Sequence, residues 1–394
     1  MKRRHFPVGP GLLLGVVMII SFSCHENKDD SSTQKLEIKN TTATTKVTLS
    51  DLKVTDIKYI PLETTPESFI EGINKVLYDG GNYFIQSKDG VMKFDSGGQF
   101  ICSIGHKGRG LHEYIYCTDF SIDKKNKLVY ILDATTARIY VYDEDGNGIK
   151  TFHTPHHGTY LTCVDDGILC FSINPNGDVD YSFDFISNDG KEVQSYPNKY
   201  KFKYRANGVV VGTEYLNYQW NESLFTKELY SDTIFSFSNK KFTPKLILVR
   251  NEKLFPVKLK EEITMDNMFT IRDNYILDYR LLRFSSYLYL VYGYHRKGYG
   301  LICNMDDDTQ YLFNPADGIT NDFDSGMNLY PETTLDGNTI LSWIGPLKLK
   351  AHITTEAFKN SIPKYPEKKK ELEKLASNLN ENDNPVLMLV KLKE

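Results

Sequence analysis

The run Leu128-Val129-Tyr130-Ile131-Leu132-Asp133, followed by Arg138-Ile139-Tyr140-Val141-Tyr142-Asp143-Glu144-Asp145-Gly146, decides the fold. Both halves are short runs of aliphatic, β-branched and aromatic residues bounded by polar residues, as strands are. Gly146 after Asp145 supplies the positive φ that a tight hairpin turn requires. Val91-Met92-Lys93-Phe94-Asp95-Ser96-Gly97-Gly98 repeats the pattern upstream, and Phe183-Asp184-Phe185-Ile186-Ser187-Asn188-Asp189-Gly190 repeats it downstream. The turn glycines Gly98, Gly146 and Gly190 are 48 and 44 residues apart. A further strand stands ahead of each turn, at 81–86, 128–133 and 167–172. Four strands in each ~40–50 residues is the signature of a propeller blade.

Weaker copies follow at 231–237, at 287–294 with 300–312, and at 339–343. About 310 residues at ~50 per blade give six blades. The fold expected is therefore all-β, a six-bladed β-propeller over residues 48–394. Strand-like stretches at 56–62 and 386–393 are placed to share one blade and hide the edges that would otherwise aggregate. One flanking helix is expected at about 366–380, where Leu372, Leu375, Ala376 and Leu379 make a single apolar stripe.

In the second repeat, Asp133, Arg138, Ile139, Val141, Tyr142, Asp143 and Gly146 resemble the NHL-type blade. Ile104-Gly105-His106-Lys107-Gly108-Arg109-Gly110-Leu111-His112-Glu113-Tyr114 resembles the glycine-rich inter-blade segment of the same families. Together with Ile57-Lys58-Tyr59-Ile60-Pro61-Leu62-Glu63-Thr64 and Asp383-Asn384-Pro385-Val386-Leu387-Met388, these segments resemble the six-bladed β-propeller lipoproteins of Bacteroidetes over roughly residues 50–394. Leu111 stands where that family has Pro. The resemblance implies a fold and a location; it brings no assigned reaction.

Residues 1–23 read as a lipoprotein signal peptide. Lys2, Arg3 and Arg4 precede an apolar run of about nine residues, 12–20, too short to span a bilayer. Ser21-Phe22-Ser23-Cys24 resembles a lipobox, with Ser21 where an aliphatic residue is usual. Cys24 would then carry palmitate-type acyl chains, each buried CH₂ adding ~0.8 kcal/mol to membrane binding. Lys28-Asp29-Asp30 behind it resembles a surface-export signal. Residues 24–47 read as a flexible tether rich in Ser, Thr, Asn and Lys. The expected address is the outer membrane, at the cell surface.

Removing residues 1–23 takes away three positive charges and no acids, so the formal net charge goes from −4 to −7. No basic excess is present to neutralise phosphates, which argues against a nucleic-acid partner. Cys102, Cys117, Cys163, Cys170 and Cys303 lie among apolar residues and read as small buried hydrophobes rather than disulfides.

The sequence carries no GxSxG elbow, HExxH, P-loop or Rossmann fingerprint. Asp143, Asp145, Asn147 and Gly148 mimic the first half of a calcium loop. Its twelfth position is Thr154 rather than Glu, so a plain turn is expected. His153, His156 and His157 are read as a solvated loop. No metal or cofactor is expected. Arg109, His112 and Glu113 are candidate liners of the central mouth. Tyr215, Tyr218 and Trp220 lie in an aromatic, amide-rich stretch, 204–230, that fits strand periodicity poorly; it reads either as blade core or as a loop able to stack sugar rings. The function expected is a non-enzymatic, lipid-anchored module binding a glycan, peptide or protein partner. The alternative is a hydrolase or lyase with its site in the central channel.

Overall fold

In the computed structural model, which describes residues 33–39 and 46–393, six sheets follow one another as propeller blades. Blade 1 runs from Lys75–Asp79 to Phe100–Ile104, and blade 2 from Asp119–Asp123 to Gly148–His153. Blade 3 runs from Tyr160–Val164 to Val193–Pro197. Blade 4 runs from Tyr215–Trp220 to Lys241–Val249, and blade 5 from Leu277–Phe284 to Gln310–Phe313. Consecutive strands within each blade pair antiparallel. The first strands of neighbouring blades meet one another, Asp119–Asp123 with Tyr160–Val164 and Tyr215–Trp220 with Leu277–Phe284. They therefore line the axis.

Blade 6 joins a strand from the N-terminal part of the chain to the last strand. Its order is Val54–Pro61, Val386–Leu392, Thr339–Ile344 and Thr333–Thr334, and Ile57 pairs with Val390. The expected closure is present, and the outer strand comes from the N-terminal side.

Blade strands are apolar on both faces because each blade packs on two others. In Arg138–Asp143, Tyr140 and Tyr142 pack toward blade 1, while Ile139 and Val141 pack toward blade 3. The repeated turn glycines have a shared reason. Gly98, Gly146 and Gly190 have φ of +87°, +84° and +76°. A Cβ on Gly98 or Gly146 would lie 2.3 Å from the Pro61 or Ser103 carbonyl oxygen of the preceding blade. The repeat thus records both a turn and a blade-to-blade contact.

Two expectations need correction, and one open reading is decided. The flanking helix is present as Pro366–Asn378, with Leu372 and Ala376 buried, but Pro346–Thr354 and Glu356–Lys359 are helical as well. Two further helical segments, Val257–Glu261 and Met268–Asp273, lie between blades 4 and 5. Part of the expected tether is ordered: Gln34–Glu37 adds a fifth, parallel strand to blade 4, pairing Leu36 with Leu248. Leu36 and Ile38 are buried there, and two apolar residues in a polar run were enough to seal an edge. Of the two readings of 204–230, blade core holds for most of it. Tyr215–Trp220 and Ser223–Glu228 form a hairpin through Asn221 and Glu222, both at positive φ.

Candidate functional site

The hairpin in blade 4 builds two different surfaces because side chains alternate along a strand. Thr226 and Glu228 of Ser223–Glu228 face blade 3, whereas Lys227 faces blade 5. On the blade 3 side lies a cavity of about 420 Å³. Its walls include Phe183, Tyr196, Phe235 and Phe242, with Ser182, Lys199, Thr226, Glu228 and Lys240 among them. The rings hold one another, Phe242 lying 4.8 Å from Phe183 and 5.1 Å from Tyr196 between ring centres.

Glu228 is the titratable group most affected in this cavity. Burial pushes its carboxyl up to about 7, against the opposing pull of Lys199 and a hydrogen bond from Ser182. The Lys199 ammonium lies 5.4 Å from the centre of the Phe235 ring. Lys240 pairs with Glu192 at 2.6 Å. An apolar body flanked by a carboxyl near neutrality and by lysines can fix the orientation of a ligand that is itself part apolar.

Around Lys227 the blade 5 side is closed instead. Asp278 accepts both guanidinium arms of Arg250 at 2.8 Å, and Lys227 Nζ lies 2.6 Å from Asp278 Oδ2. Arg250 also donates to Asp232 at 2.7 Å. The Lys227 and Asp278 side chains are 0% exposed. Burial alone would raise Asp278, but Lys227 and Arg250 outweigh it and hold the carboxyl well below its usual range. Another buried pair, Lys260 with Glu214 at 2.6 Å, ties the crossing after blade 4 to the crossing before it.

The residues singled out by sequence fall in separate places. Tyr215 is buried and stacks on Phe171 of blade 3 at 4.6 Å. Tyr218 stacks on Phe225 at 5.0 Å. Trp220 ends the inner strand of blade 4, half-buried, with the Arg283 guanidinium 5.1 Å from its ring centre. Arg109, His112 and Glu113 are on the crossing from blade 1 to blade 2, and none stands on a first strand. Glu113 accepts from the Gly110 amide at 2.8 Å, so its carboxylate holds its own loop. The His112 carbonyl accepts from the Tyr142 hydroxyl at 2.7 Å, and Arg109 is exposed. Cys24 lies outside the described residues.

In the histidine loop, His156 Nδ1 lies 2.9 Å from Asp184 Oδ2, while His153 and His157 are exposed. Among the described residues no group of three His, Cys, Asp or Glu is arranged to hold a metal. Asp143 accepts from the Asp145 and Asn147 amides at 3.0 and 2.8 Å, tying the calcium-like stretch into a turn. Cys102, Cys117, Cys163, Cys170 and Cys303 are free thiols. Burial pushes Cys117 and Cys163 up to about 12, which keeps them as unreactive thiols. Sequence reasoning missed Glu228 and Lys199. Nothing in Thr226-Lys227-Glu228 distinguishes a cavity carboxylate from an exposed strand end until the third blade is set against it.

A family profile described as "Domain of unknown function (DUF4934)" matches residues 33–391. No curated protein sequence matches the chain. Among solved structures, a Bacteroides fragilis protein provisionally described as exported aligns with a TM-score of 0.66 at 15% identity, covering 92% of this chain and all of that one. A DUF4221 family member from Bacteroides vulgatus aligns with a TM-score of 0.50 at 11% identity, covering 86% of this chain and 97% of that one. At these identities the likeness is one of fold.

Proposed function

This chain belongs to the DUF4934 family, and we propose that it is an exported, lipid-anchored binding module that holds a glycan in the cavity between blades 3 and 4. The cavity itself carries the reading. Phe235, Phe242 and Tyr196 offer ring faces to the apolar side of a sugar, and Glu228, Thr226 and Lys199 stand beside them for its hydroxyls. The proposed address rests on the signal-like residues 1–23, with Cys24 as the lipidated residue and the outer membrane surface as the destination. The fold likeness to a Bacteroides protein provisionally described as exported is consistent with that address. No helix among the described residues is long and apolar enough to cross a membrane.

A glycan array on residues 31–394, followed by calorimetry on any hit with Phe235→Ala and Glu228→Gln, tests the cavity. Loss of a ring platform should weaken binding about tenfold or more, taking ~1–3 kcal/mol per stacked ring by analogy with base stacking. Unchanged affinity in both variants would remove the cavity from the binding site. Fatty-acid labelling that is abolished by Cys24→Ser supports the anchor, and equal labelling removes it. A second reading, hydrolase or lyase, draws on the same carboxyl. A pKa near 7 suits a general acid or base, and product formation from a bound glycan, lost in Glu228→Gln, would select it.

A further inference from the structure

Where the innermost strands of blades 4 and 5 end, an arginine lies over a tryptophan whose ring also meets a turn of blade 6. Trp220 is the last residue of Tyr215–Trp220 in blade 4, and Arg283 is the last but one of Leu277–Phe284 in blade 5. Gly337 follows the inner strand Thr333–Thr334 of blade 6, and a Cβ there would lie 3.3 Å from the Trp220 ring. The Arg283 guanidinium is held over the indole, 5.1 Å from its centre. Tyr218, two residues before Trp220 and on the same face of its strand, is within electrostatic reach of Arg283.

The arginines nearby in sequence show what is unusual here. Arg250 bonds Asp232 and Asp278, Arg280 bonds Glu332 and the Pro331 carbonyl, and Arg296 pairs with Asp273. Arg283 is half-buried like Arg280, and burial lowers its pKa. Among the described residues its guanidinium has no acceptor; Asp306 acts on it only at longer range. The Trp220 indole N–H and the Tyr218 hydroxyl likewise have no acceptor among the described residues. The result is a half-buried cluster of donors, none of them sealed from water without a partner, so each stays open to an acceptor that a ligand brings.

We propose that Arg283, Trp220 and Tyr218 form a receptor for an acidic sugar. The guanidinium fork matches a carboxylate bidentately, and its stacking on the indole fixes its plane before the ligand arrives. A sugar acid brings a carboxylate together with hydroxyl oxygens around a compact ring. It therefore presents acceptors to the fork, the indole N–H and the phenol at once. A peptide terminus offers its carboxylate followed by a single chain of backbone. This receptor faces blade 5 and does not depend on the cavity facing blade 3.

The test uses residues 31–394 and trigalacturonic acid, with its methyl ester and a neutral trigalactoside as controls. The protein has two tryptophans, so nitrogen-15 spectra carry two indole resonances. Titration should move the Trp220 resonance, assigned with Trp220→Phe, and the ester and the neutral sugar should bind at least tenfold more weakly. Arg283→Lys should weaken the acid at least tenfold because the fork is lost, and added salt should weaken it too. Tyr218→Phe, which removes only the hydroxyl, should weaken it about threefold or more and serves if Arg283→Lys fails to fold. The proposal is overturned if the acid does not bind, if the ester binds equally, or if both variants bind as wild type. Displacement of the Trp220 resonance by a free peptide carboxylate, with no response to the sugar acid, would also overturn it.

Discussion

Two carboxylates placed on opposite sides of blade 4 titrate in opposite directions. Asp278 meets Lys227 and Arg250 and is held below its usual range, whereas Glu228, the next residue after Lys227, is pushed up to about 7. Both are desolvated, so burial does not distinguish them; the cations each one finds do. A one-residue step along a strand moves a side chain from one seam to the other. Around Lys227 the seam with blade 5 is sealed by charge pairs. The seam with blade 3 is packed by rings and leaves room for a ligand.

The most severe way to break this contrast is to open the ring that supports both seams. Removing residues 384–394 deletes Val386–Leu392 and leaves Val54–Pro61 and Thr339–Ile344 without their shared partner. The loss should reach several kcal/mol of a typical ~5–15 kcal/mol stability. Chemical denaturation would show it, and a truncated protein with wild-type stability would mean that the closing strand does not hold the propeller shut.

Asp278→Asn should come next. It leaves Lys227 buried without its anion and Arg250 with Asp232 alone, for which ~3–5 kcal/mol is the usual cost. Asp278 has a depressed pKa, so the wild-type contribution is complete above the ordinary carboxyl value near ~4 and is lost as pH falls through the lower, folded value. The penalty should shrink as pH rises, because Lys227, whose pKa burial lowers, loses the anion that opposes that shift and can shed its proton in the variant.

Glu228→Gln removes a carboxyl shifted the opposite way. The wild-type carboxyl rises from 4.5 to about 7 on folding, so the folded protein keeps a proton that the unfolded chain releases. Its contribution is fully present below 4.5 and is lost as pH rises through about 7. At ~1.4 kcal/mol per pKa unit the upper limit is ~3 kcal/mol. Wild type should lose stability relative to the Gln variant as pH rises from 5 to 8. Parallel pH profiles would show that Glu228 is solvated.

The smallest effect is expected outside both seams. Asp143 and Asp145 belong to an exposed turn, so Asp145→Ala should change stability by less than ~0.5 kcal/mol and EDTA should leave the melting temperature unchanged. A calcium-dependent rise of several degrees, lost in Asp145→Ala, would make the turn a metal site.

Much of the propeller was legible because its signals are local. Gly98, Gly146 and Gly190 mark turns through their own φ, and the apolar runs before them mark strands that must be covered on both faces. Trp220 was legible as a candidate residue but not in its setting. Asn217, Gln219 and the polar hairpin turn masked a strand that gains its burial from blades 3 and 5. Leu36 and Ile38 were hidden for a related reason, since two apolar residues become a strand only beside the edge at Lys241–Val249.

The sequence by itself determined the blade count, the closure between 56–62 and 386–393, and the stripe of Leu372 and Ala376, because turns, strand length and helical spacing are properties of neighbours along the chain. Only the tertiary structure decided that Lys227 would be neutralised and Glu228 left near neutrality, or that Arg283 would lie over Trp220 without an acceptor. Those outcomes depend on which groups from distant segments share a low-dielectric seam. The electrostatic free energy of a side chain is fixed by its partners in space.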